Sequence, residues 1–225
     1  MNKAYILHRY PYQESSLLLK CFVREVGLLA VIARGARKGK SRWRGMCQSF
    51  MPLVIEVKGR GSVLTLTQVE IEGQAMRFDQ RELASAFYLN ELLMSLLAEG
   101  EAHSELFDAY QQALLKLKTA VEPALRSFEL FLLESLGYGL HLEEDQAHRP
   151  IIPANRYQVM PGELPQQVGA NEAGYWGSEL LAISQQEWNQ PGVLPAAKRL
   201  LRVWIGYYTQ GRKFNSRQLL AKGLL

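Results

Sequence analysis

The residues best suited to chemistry in this sequence are the cations of one short run, ARGARKGKSRWRG, from Ala33 to Gly45. Six of them fall within eleven positions, and no Asp or Glu occurs between Glu25 and Glu56. These cations are Arg34, Arg37, Lys38, Lys40, Arg42 and Arg44. Because Lys and Arg neutralise phosphates and release their counterions, the run predicts binding to a nucleic acid. The alternative is a loop that is merely solvated.

Aromatic residues and glycines accompany these cations. Trp43 offers either a stacking face for a base or an anchor in the core or at an interface. Glycines at positions 35, 39 and 45 let the backbone approach a strand closely. Arg60, in the next glycine-rich turn, adds a further cation. More stacking platforms are expected from Tyr5, Tyr10, Tyr12 and Phe50 if they face the same groove.

Catalytic chemistry has little support in the sequence. The stretch from Gly35 to Ser41 approaches a phosphate-binding loop, but three residues rather than four separate its glycines. The four histidines match no standard catalytic or metal site in their spacing. Cys21 and Cys47 form no CxxC pair and are expected to be buried free thiols. We therefore expect no enzymatic activity and no cofactor or metal.

Charge is sorted along the chain. Residues 1–78 carry 13 Lys and Arg against 5 Asp and Glu, residues 79–187 carry 6 against 17, and residues 188–225 carry 7 against none. The basic ends predict an anionic polymer as partner, or docking of the ends on the acidic middle. The second basic region contains Lys198, Arg199, Arg202, Arg212, Lys213 and Arg217.

The elements that must position the first cations are five predicted strands in the first 75 residues. Enrichment in β-branched residues and turns at Gly27 and Gly59–Ser62 favour strands over helices. In the last of these strands, strict alternation is expected to place Leu66 and Val69 on opposite faces. Five short strands fit a Greek-key barrel of the OB type, and an SH3-like barrel is also possible on pattern alone.

After Gly73 the apolar period becomes helical, and three helices joined by short turns predict a bundle. Residues 141–178 are rich in Pro and Gly and predict loops with at most one short hairpin. A later helix is expected to bury one stripe opposite its cations, formed by Leu200, Val203, Trp204 and Tyr207. The predicted fold class is α+β, with a five-stranded OB-fold barrel followed by an α-helical domain.

Short segments along nearly the whole chain match one family pattern. In the first 75 residues they are Tyr12–Ser16, Gly27, Gly35–Arg37, Lys40–Ser41, Gln48–Leu53 and Gly59–Gly61. Further along they are Tyr88–Leu93, Glu105–Tyr110, Glu122–Gly139 and Gly211–Leu220. Through these segments together, the chain resembles the RecO family of bacterial DNA repair proteins. Ser49 departs from the proline that is usual in that family.

The resemblance implies an OB-fold domain over residues 1–78 and a helical domain over residues 79–225, with a loop-rich insertion at about 141–178. It implies binding of single- and double-stranded DNA. The residues expected to bind it are the cations between Arg34 and Arg44, those of the second basic region, and also Arg60 and Trp43. It also implies annealing of complementary strands without enzymatic turnover. Many members carry a four-cysteine zinc module in the region of 141–178, where this sequence has no cysteine, so we expect that region to fold without metal.

The partners implied by the resemblance are RecR, in many cases RecF, and RecA, which is loaded onto DNA coated by the single-stranded DNA-binding protein. Capture of that coating protein's acidic, apolar tail requires a cation beside an apolar pocket. Arg126 is the candidate, and its alternative role is an intrahelical pair with Glu122 or Glu129. An OB-fold RNA-binding protein or a protein adaptor remains the alternative function.

No signal-peptide pattern and no apolar run long enough to span a membrane occur in the sequence. We therefore expect a cytoplasmic, nucleoid-associated protein without a membrane partner.

Overall fold

Five strands close into a barrel at the start of the chain. The structure is a computed structural model and describes residues 1–43 and 45–216. The strands are β1 (Asn2–Tyr12), β2 (Ser16–Val23), β3 (Gly27–Ala33), β4 (Leu53–Lys58) and β5 (Val63–Ile71). They pair in the closed order β1-β2-β3-β5-β4, with β3 and β5 parallel and the other pairs antiparallel. The predicted α+β fold with an N-terminal OB-fold barrel is therefore confirmed.

Alternation along the strands fills the barrel with apolar side chains. Leu19, Cys21 and Val23 of β2 belong to its core, whereas Lys20 between them is only half-buried. Cys21 and Cys47 are free and buried, as predicted. Because burial disfavours the charged thiolate, the pKa of Cys21 rises to about 12 and that of Cys47 to about 11.

The alternation of β5 contains one irregularity. Thr67 has no partner on β4, where the register shifts between Glu56 and Val57. This β-bulge changes the phase of the strand by one residue, so both Leu66 and Val69 are buried in the core. The expectation that these two residues face opposite ways is therefore wrong.

Two helices, α1 (Gln80–Leu96) and α2 (Ser104–Lys116), accompany the barrel in one compact unit. Aromatic rings of β1, β2 and α2 pack together, with centroids between 5.3 and 6.2 Å apart. These rings belong to Tyr5, Phe22, Phe107 and Tyr110. The unit comprises residues 1–119 and the segment that begins at Phe214.

The second compact unit is formed by residues 120–213. Its elements are α3 (Val121–Ser135), β6 (Arg156–Gln158), β7 (Gln166–Val168), β8 (Tyr175–Trp176), α4 (Gly177–Ser184) and α5 (Val193–Tyr208). The three strands form a small sheet in the order β7-β6-β8, within the stretch that was expected to hold at most one hairpin. The predicted boundary between two domains, at residue 78, does not coincide with the boundary between these compact units, at residue 119. Whether residues 1–78 form a separate domain stays a prediction.

A glycine cap ends α3. Gly137 has φ 76°, and the N–H of Tyr138 donates to the Leu133 carbonyl at 2.8 Å. Tyr138 therefore leaves the helix in a fixed direction. No helix in residues 1–43 and 45–216 is both long and apolar enough to cross a membrane.

Candidate nucleic-acid interface

The basic segment, residues 34–44, begins the long connection between β3 and β4. Consecutive tight turns order it: the N–H of Lys38 donates to the Gly35 carbonyl at 3.1 Å, and the N–H of Ser41 donates to the Lys38 carbonyl at 3.0 Å. Gly35 has φ 69°, a conformation that most side chains avoid. The cations are thus carried on a compact series of turns.

Trp43 anchors the basic segment in the barrel core. Its side chain is 4% exposed and belongs to the same core cluster as Cys47. The indole N–H donates to the Arg34 carbonyl at 3.0 Å, and the Arg42 guanidinium lies 4.0 Å from the ring centroid. Of the two roles open to Trp43, the structure shows the core anchor. The prediction that Trp43 stacks on a base is wrong, because its ring is buried.

Arg37 ties the basic segment to the turn between β1 and β2. Its N–H donates to the Ser15 carbonyl at 2.8 Å, and its guanidinium donates to the Gln13 carbonyl at 3.2 Å. The N–H of Gly35 adds a weaker bond to Ser16 Oγ at 3.4 Å. The backbone N–H and one guanidinium N–H of Arg37 are therefore used within the protein. Arg37 and Gly35 both tie the basic segment to the start of β2 and the turn before it.

The other described cations of the basic segment face solvent. Arg34, Lys38 and Lys40 are exposed, and in the part of the chain that the structure describes no carboxylate lies within ion-pair distance of them. Adjacent unpaired charges on one compact path create a positive potential that draws an anionic strand. Arg44 lies outside the described residues.

A partly exposed strip of the barrel surface, formed by Tyr10 with the half-buried Leu18 and Ile32, begins beside the basic segment. In the strand register Tyr10 lies opposite Leu18, and Leu18 lies opposite Ile32, two positions before Arg34. Tyr10 is 42% exposed, and the His8 ring meets it edge-on with centroids 4.2 Å apart. Tyr10 is therefore available for stacking on a base.

The other predicted aromatic platforms differ in exposure. Tyr5 and Phe50 are buried in the protein, so stacking on a base is wrong for them, while Tyr12 is half-buried. The sequence does not identify Leu18 and Ile32 as surface residues, because apolar residues in a strand are ordinarily assigned to the core. Only the strand register brings them beside Tyr10.

Arg60 occupies the turn between β4 and β5 and is exposed, as predicted. The glycines on either side, Gly59 and Gly61, have φ values of 135° and 96°. These two conformations close a turn that presents Arg60 to solvent.

The described members of the second basic region lie in the second unit. Five of its predicted members are exposed, on α5 or just after it: Lys198, Arg199, Arg202, Arg212 and Lys213. Lys198 Nζ lies 3.6 Å from a Glu122 oxygen, and the Arg199 guanidinium lies 4.8 Å from the centroid of Tyr175. Arg217 lies outside the described residues.

The predicted apolar stripe of α5 is correct in part. Leu200 and Trp204 are buried, but Val203 is 47% exposed and Tyr207 is 63% exposed. The buried side turns instead through Ala196, Ala197, Leu201 and Ile205. Because small alanines let the helix approach its neighbours, burial is centred away from Val203 and Tyr207.

Arg126, the predicted tail-binding residue, is buried at 6% exposure. Its Nη1 lies 2.7 Å from Glu129 Oε2, so the intrahelical pair with Glu129 is present. Removing Glu129 would take this ion-pair partner from the buried Arg126 guanidinium. Tail binding by Arg126 stays a prediction.

A cleft of about 620 Å³ opens in the second unit beside the end of α3. His141, Glu143, Glu144 and His148 are among its lining residues, and His148 Nδ1 lies 3.5 Å from Glu144 Oε2. In residues 1–43 and 45–216, no three His, Cys, Asp or Glu side chains come together as metal ligands.

The closed strand order and the cationic turns beside it define the class of the protein: an OB-fold barrel protein with a basic loop and a helical extension. Family models agree along the chain. The model described as recombination protein O N terminal matches residues 1–75, and the model described as recombination protein O C terminal matches residues 77–218. The chain belongs to the recombination protein O family of DNA repair proteins.

Curated relatives extend over almost the full chain. The DNA repair protein RecO of Aromatoleum aromaticum is 37% identical over 222 residues, covering 96% of this chain and 93% of the relative. The protein of the same name from Methylococcus capsulatus is 38% identical, covering 97% and 92%. That of Pseudomonas aeruginosa is 39% identical over 218 residues, covering 96% and 92%. Recombination and DNA binding fit the family.

Proposed function

We propose that this protein is a recombination mediator that binds single- and double-stranded DNA, anneals complementary strands and, with RecR, helps to load RecA. One observation carries the proposal: Arg34, Lys38 and Lys40 are exposed without a carboxylate partner among the described residues, on a segment anchored in an OB-fold barrel. Membership of a family of DNA repair proteins supports DNA as the anionic polymer.

The physical basis of annealing is the repulsion between two polyanions. Each phosphate that a cation neutralises releases counterions, and a protein that holds both strands lowers their mutual repulsion. The chain has two sets of exposed cations, the basic segment and the second basic region, and each set can engage a strand. Tyr10 adds an aromatic face beside the first set.

The proposed partners follow from the same role. RecA loading requires removal of the single-stranded DNA-binding protein, whose acidic tail we propose to bind to the helical domain near Arg126. RecR, and RecF where it takes part, would contact the assembled complex. Because binding and annealing need no bond to be broken, we propose neither catalysis nor a cofactor. We place this work in the cytoplasm, at the nucleoid.

The test is annealing of complementary strands that are coated with single-stranded DNA-binding protein. Wild-type protein is expected to accelerate annealing, and the Arg34→Ala/Lys38→Ala/Lys40→Ala variant is expected to lose most of that acceleration. Competition with RNA of equal length separates a DNA-binding protein from an RNA-binding one. The proposal fails if the wild type neither binds nor anneals DNA, or if RNA competes better than DNA.

A further inference from the structure

The exposed face of α5 carries apolar surface that packing does not explain. Tyr207 is 63% exposed and Val203 is 47% exposed, although the helix buries seven other residues. Val203 and Tyr207 are neighbours at i, i+4, and adjoining exposed apolar residues rimmed by polar ones are a feature of interaction sites. We define the α5 face as Arg199, Arg202, Val203, Gly206 and Tyr207.

Neighbouring rings hold Tyr207 in place. Tyr208 stacks on Tyr138, with centroids 4.0 Å apart and planes inclined by 13°. Tyr207 meets Tyr208 edge-on, with centroids 5.1 Å apart and planes inclined by 89°. All three rings belong to the second unit, and the glycine cap of α3 fixes the position of Tyr138. The Tyr207 ring is therefore oriented while most of its surface stays open to solvent.

Basic residues precede and follow this ring along the chain. No Asp or Glu occurs after Glu187 in the sequence. Arg199 and Arg202 share the α5 face with Tyr207, and Arg212 and Lys213 follow the end of the helix within a few residues. Arg202, Arg212 and Lys213 have no ion pair with any residue in the described part of the chain. The α5 face thus combines an aromatic ring with positive charge.

Gly206 leaves the middle of the α5 face bare. It follows Arg202 by four residues and Val203 by three, so it lies one turn beyond them, between their two directions on the helix surface. A Cβ built on Gly206 would meet no atom within 4 Å. Packing therefore does not require glycine here, although glycine in a helix interior is less favourable than alanine. The bare backbone leaves room for a ligand to approach the helix.

We propose that the α5 face is a base-stacking site for single-stranded DNA, in which a base lies on the Tyr207 ring while Arg199 and Arg202 contact the flanking phosphates. This inference rests on the DNA binding proposed above and assigns its second contact. Base-on-aromatic stacking tolerates every base because each has a π-face, so the site grips a strand without reading its sequence. Charge complementarity selects an anionic ligand and the ring selects one with planar bases.

The experiment compares two probes of equal length, an oligothymidylate and an oligomer of abasic sites, with the full chain carrying Tyr207→Ala, Tyr207→Leu or Tyr207→Phe. Affinity for oligothymidylate is expected to fall by about 5- to 100-fold in the Ala and Leu variants and to stay near wild type in the Phe variant. Affinity for the abasic oligomer is expected to be the same in all of them. Met160→Ala, which removes a side chain of similar exposure in the same unit, is the matched control.

Each outcome decides the matter. If Tyr207→Leu binds oligothymidylate like the wild type while the wild type binds DNA, the stacking site is refuted and the proposed function stands. If all Tyr207 variants lose affinity for both probes equally, the ring does not stack on a base and the inference is also refuted. If the wild type binds neither probe, the proposed function and this inference fall together.

A second pair of variants tests the phosphate contacts. Gly206→Glu places a carboxylate in the middle of the α5 face, and Gly206→Gln adds nearly the same bulk without charge. Because the Cβ position is open, both variants are expected to fold. Glu is expected to weaken oligothymidylate binding by about tenfold relative to Gln at low salt, with the difference shrinking as salt rises. Equal affinities of the Glu and Gln variants would refute the phosphate contacts.

Discussion

Trp43 in the basic segment and Tyr207 on α5 are both aromatic residues set among cations, yet one is 4% exposed and the other 63% exposed. Trp43 fills the barrel core and uses its indole N–H to hold the Arg34 carbonyl. Tyr207 projects from a helix whose alanines already make the buried contact. Trp43 therefore helps to order the basic segment, whereas the Tyr207 ring is left open to solvent.

The two regions also hold their cations differently. The basic segment has only short hydrogen-bonded turns of its own, so it is also anchored to the rest of its unit by Trp43 and Arg37. A helix satisfies its own backbone, so α5 can carry Arg199 and Arg202 and leave its aromatic residue exposed. Order in the first region comes from turns together with tertiary contacts, and in the second it comes from regular secondary structure.

The largest expected effect concerns the anchor. Trp43→Ala is expected to lower the free energy of unfolding by about 3–5 kcal/mol, because it removes a buried aromatic ring and leaves a cavity. Tyr207→Ala is expected to lower it by less than about 1 kcal/mol, because most of that ring is already in water. Urea denaturation of both variants, followed by circular dichroism, measures the difference. If both variants lost the same free energy of unfolding, the difference in burial between Trp43 and Tyr207 would not contribute to stability.

Charge removal in the basic segment comes next in size. In the Arg34→Ala/Lys38→Ala/Lys40→Ala variant, three lost phosphate contacts are expected to reduce the slope of log affinity against log salt by about 2 for single strands, and the affinity at 0.1 M salt on the order of 100-fold. Arg37 and Arg42 are kept because they contact the protein. Fluorescence anisotropy with a labelled oligonucleotide measures both quantities.

The control for that experiment removes the same net charge elsewhere. Lys3→Ala/Lys116→Ala/Arg149→Ala changes three exposed cations, of which Lys3 pairs with Glu72 at 2.9 Å and Arg149 with Asp145 at 2.8 Å. Its affinity is expected to change little. If it weakens binding as much as the basic-segment variant, then overall charge rather than a localised site governs binding.

The sequence predicted the barrel because five apolar stretches separated by glycine turns leave few other arrangements. It failed where a single residue changes the phase. The bulge at Thr67 places Leu66 and Val69 on the same side, and no local feature of the sequence marks it. The short helix α4 was missed because eight residues give too few turns for a period to be recognised.

The cations of the candidate interface were found from composition alone, because charge without local acids is visible in a sequence. The roles of the aromatic residues were not. The residues next to Trp43 and Tyr207 do not indicate that the first is buried and the second exposed, because exposure depends on packing with residues distant in the sequence, as in the core cluster that holds Trp43. Burial of Arg126 beside Glu129 likewise depends on how α3 packs.

Alkaline pH is expected to lower the stability of the first unit through two buried thiols. Cys21 and Cys47 are both in the first unit, and burial raises their pKa values from 9.0 to about 12 and about 11. Because the unfolded chain loses these protons at lower pH than the folded one, stability is retained below pH 9. It then falls by about 1 kcal/mol per thiol for the first pH unit above 9. Urea denaturation between pH 8 and 10 measures the fall.

The matched variant for the titration is Cys21→Ala/Cys47→Ala, which is less stable at neutral pH because two core side chains are shortened. Its stability is expected to depend less steeply on pH above 9, since the thiols no longer contribute. A variant with the same slope as the wild type would contradict the assignment of this pH dependence to the buried thiols.

The smallest expected effects have opposite signs in the two regions. Gly35→Ala in the basic segment is expected to lower the free energy of unfolding by about 1 kcal/mol, because φ 69° strains a residue with a Cβ. Gly206→Ala on α5 is expected to raise it by about 0.5–1 kcal/mol, because alanine favours the helix and its Cβ meets no atom within 4 Å. Thermal unfolding resolves shifts of this size. If Gly35→Ala did not lower the free energy of unfolding, the turns of the basic segment would tolerate ordinary side chains, and Trp43 and Arg37 would be enough to keep the segment ordered.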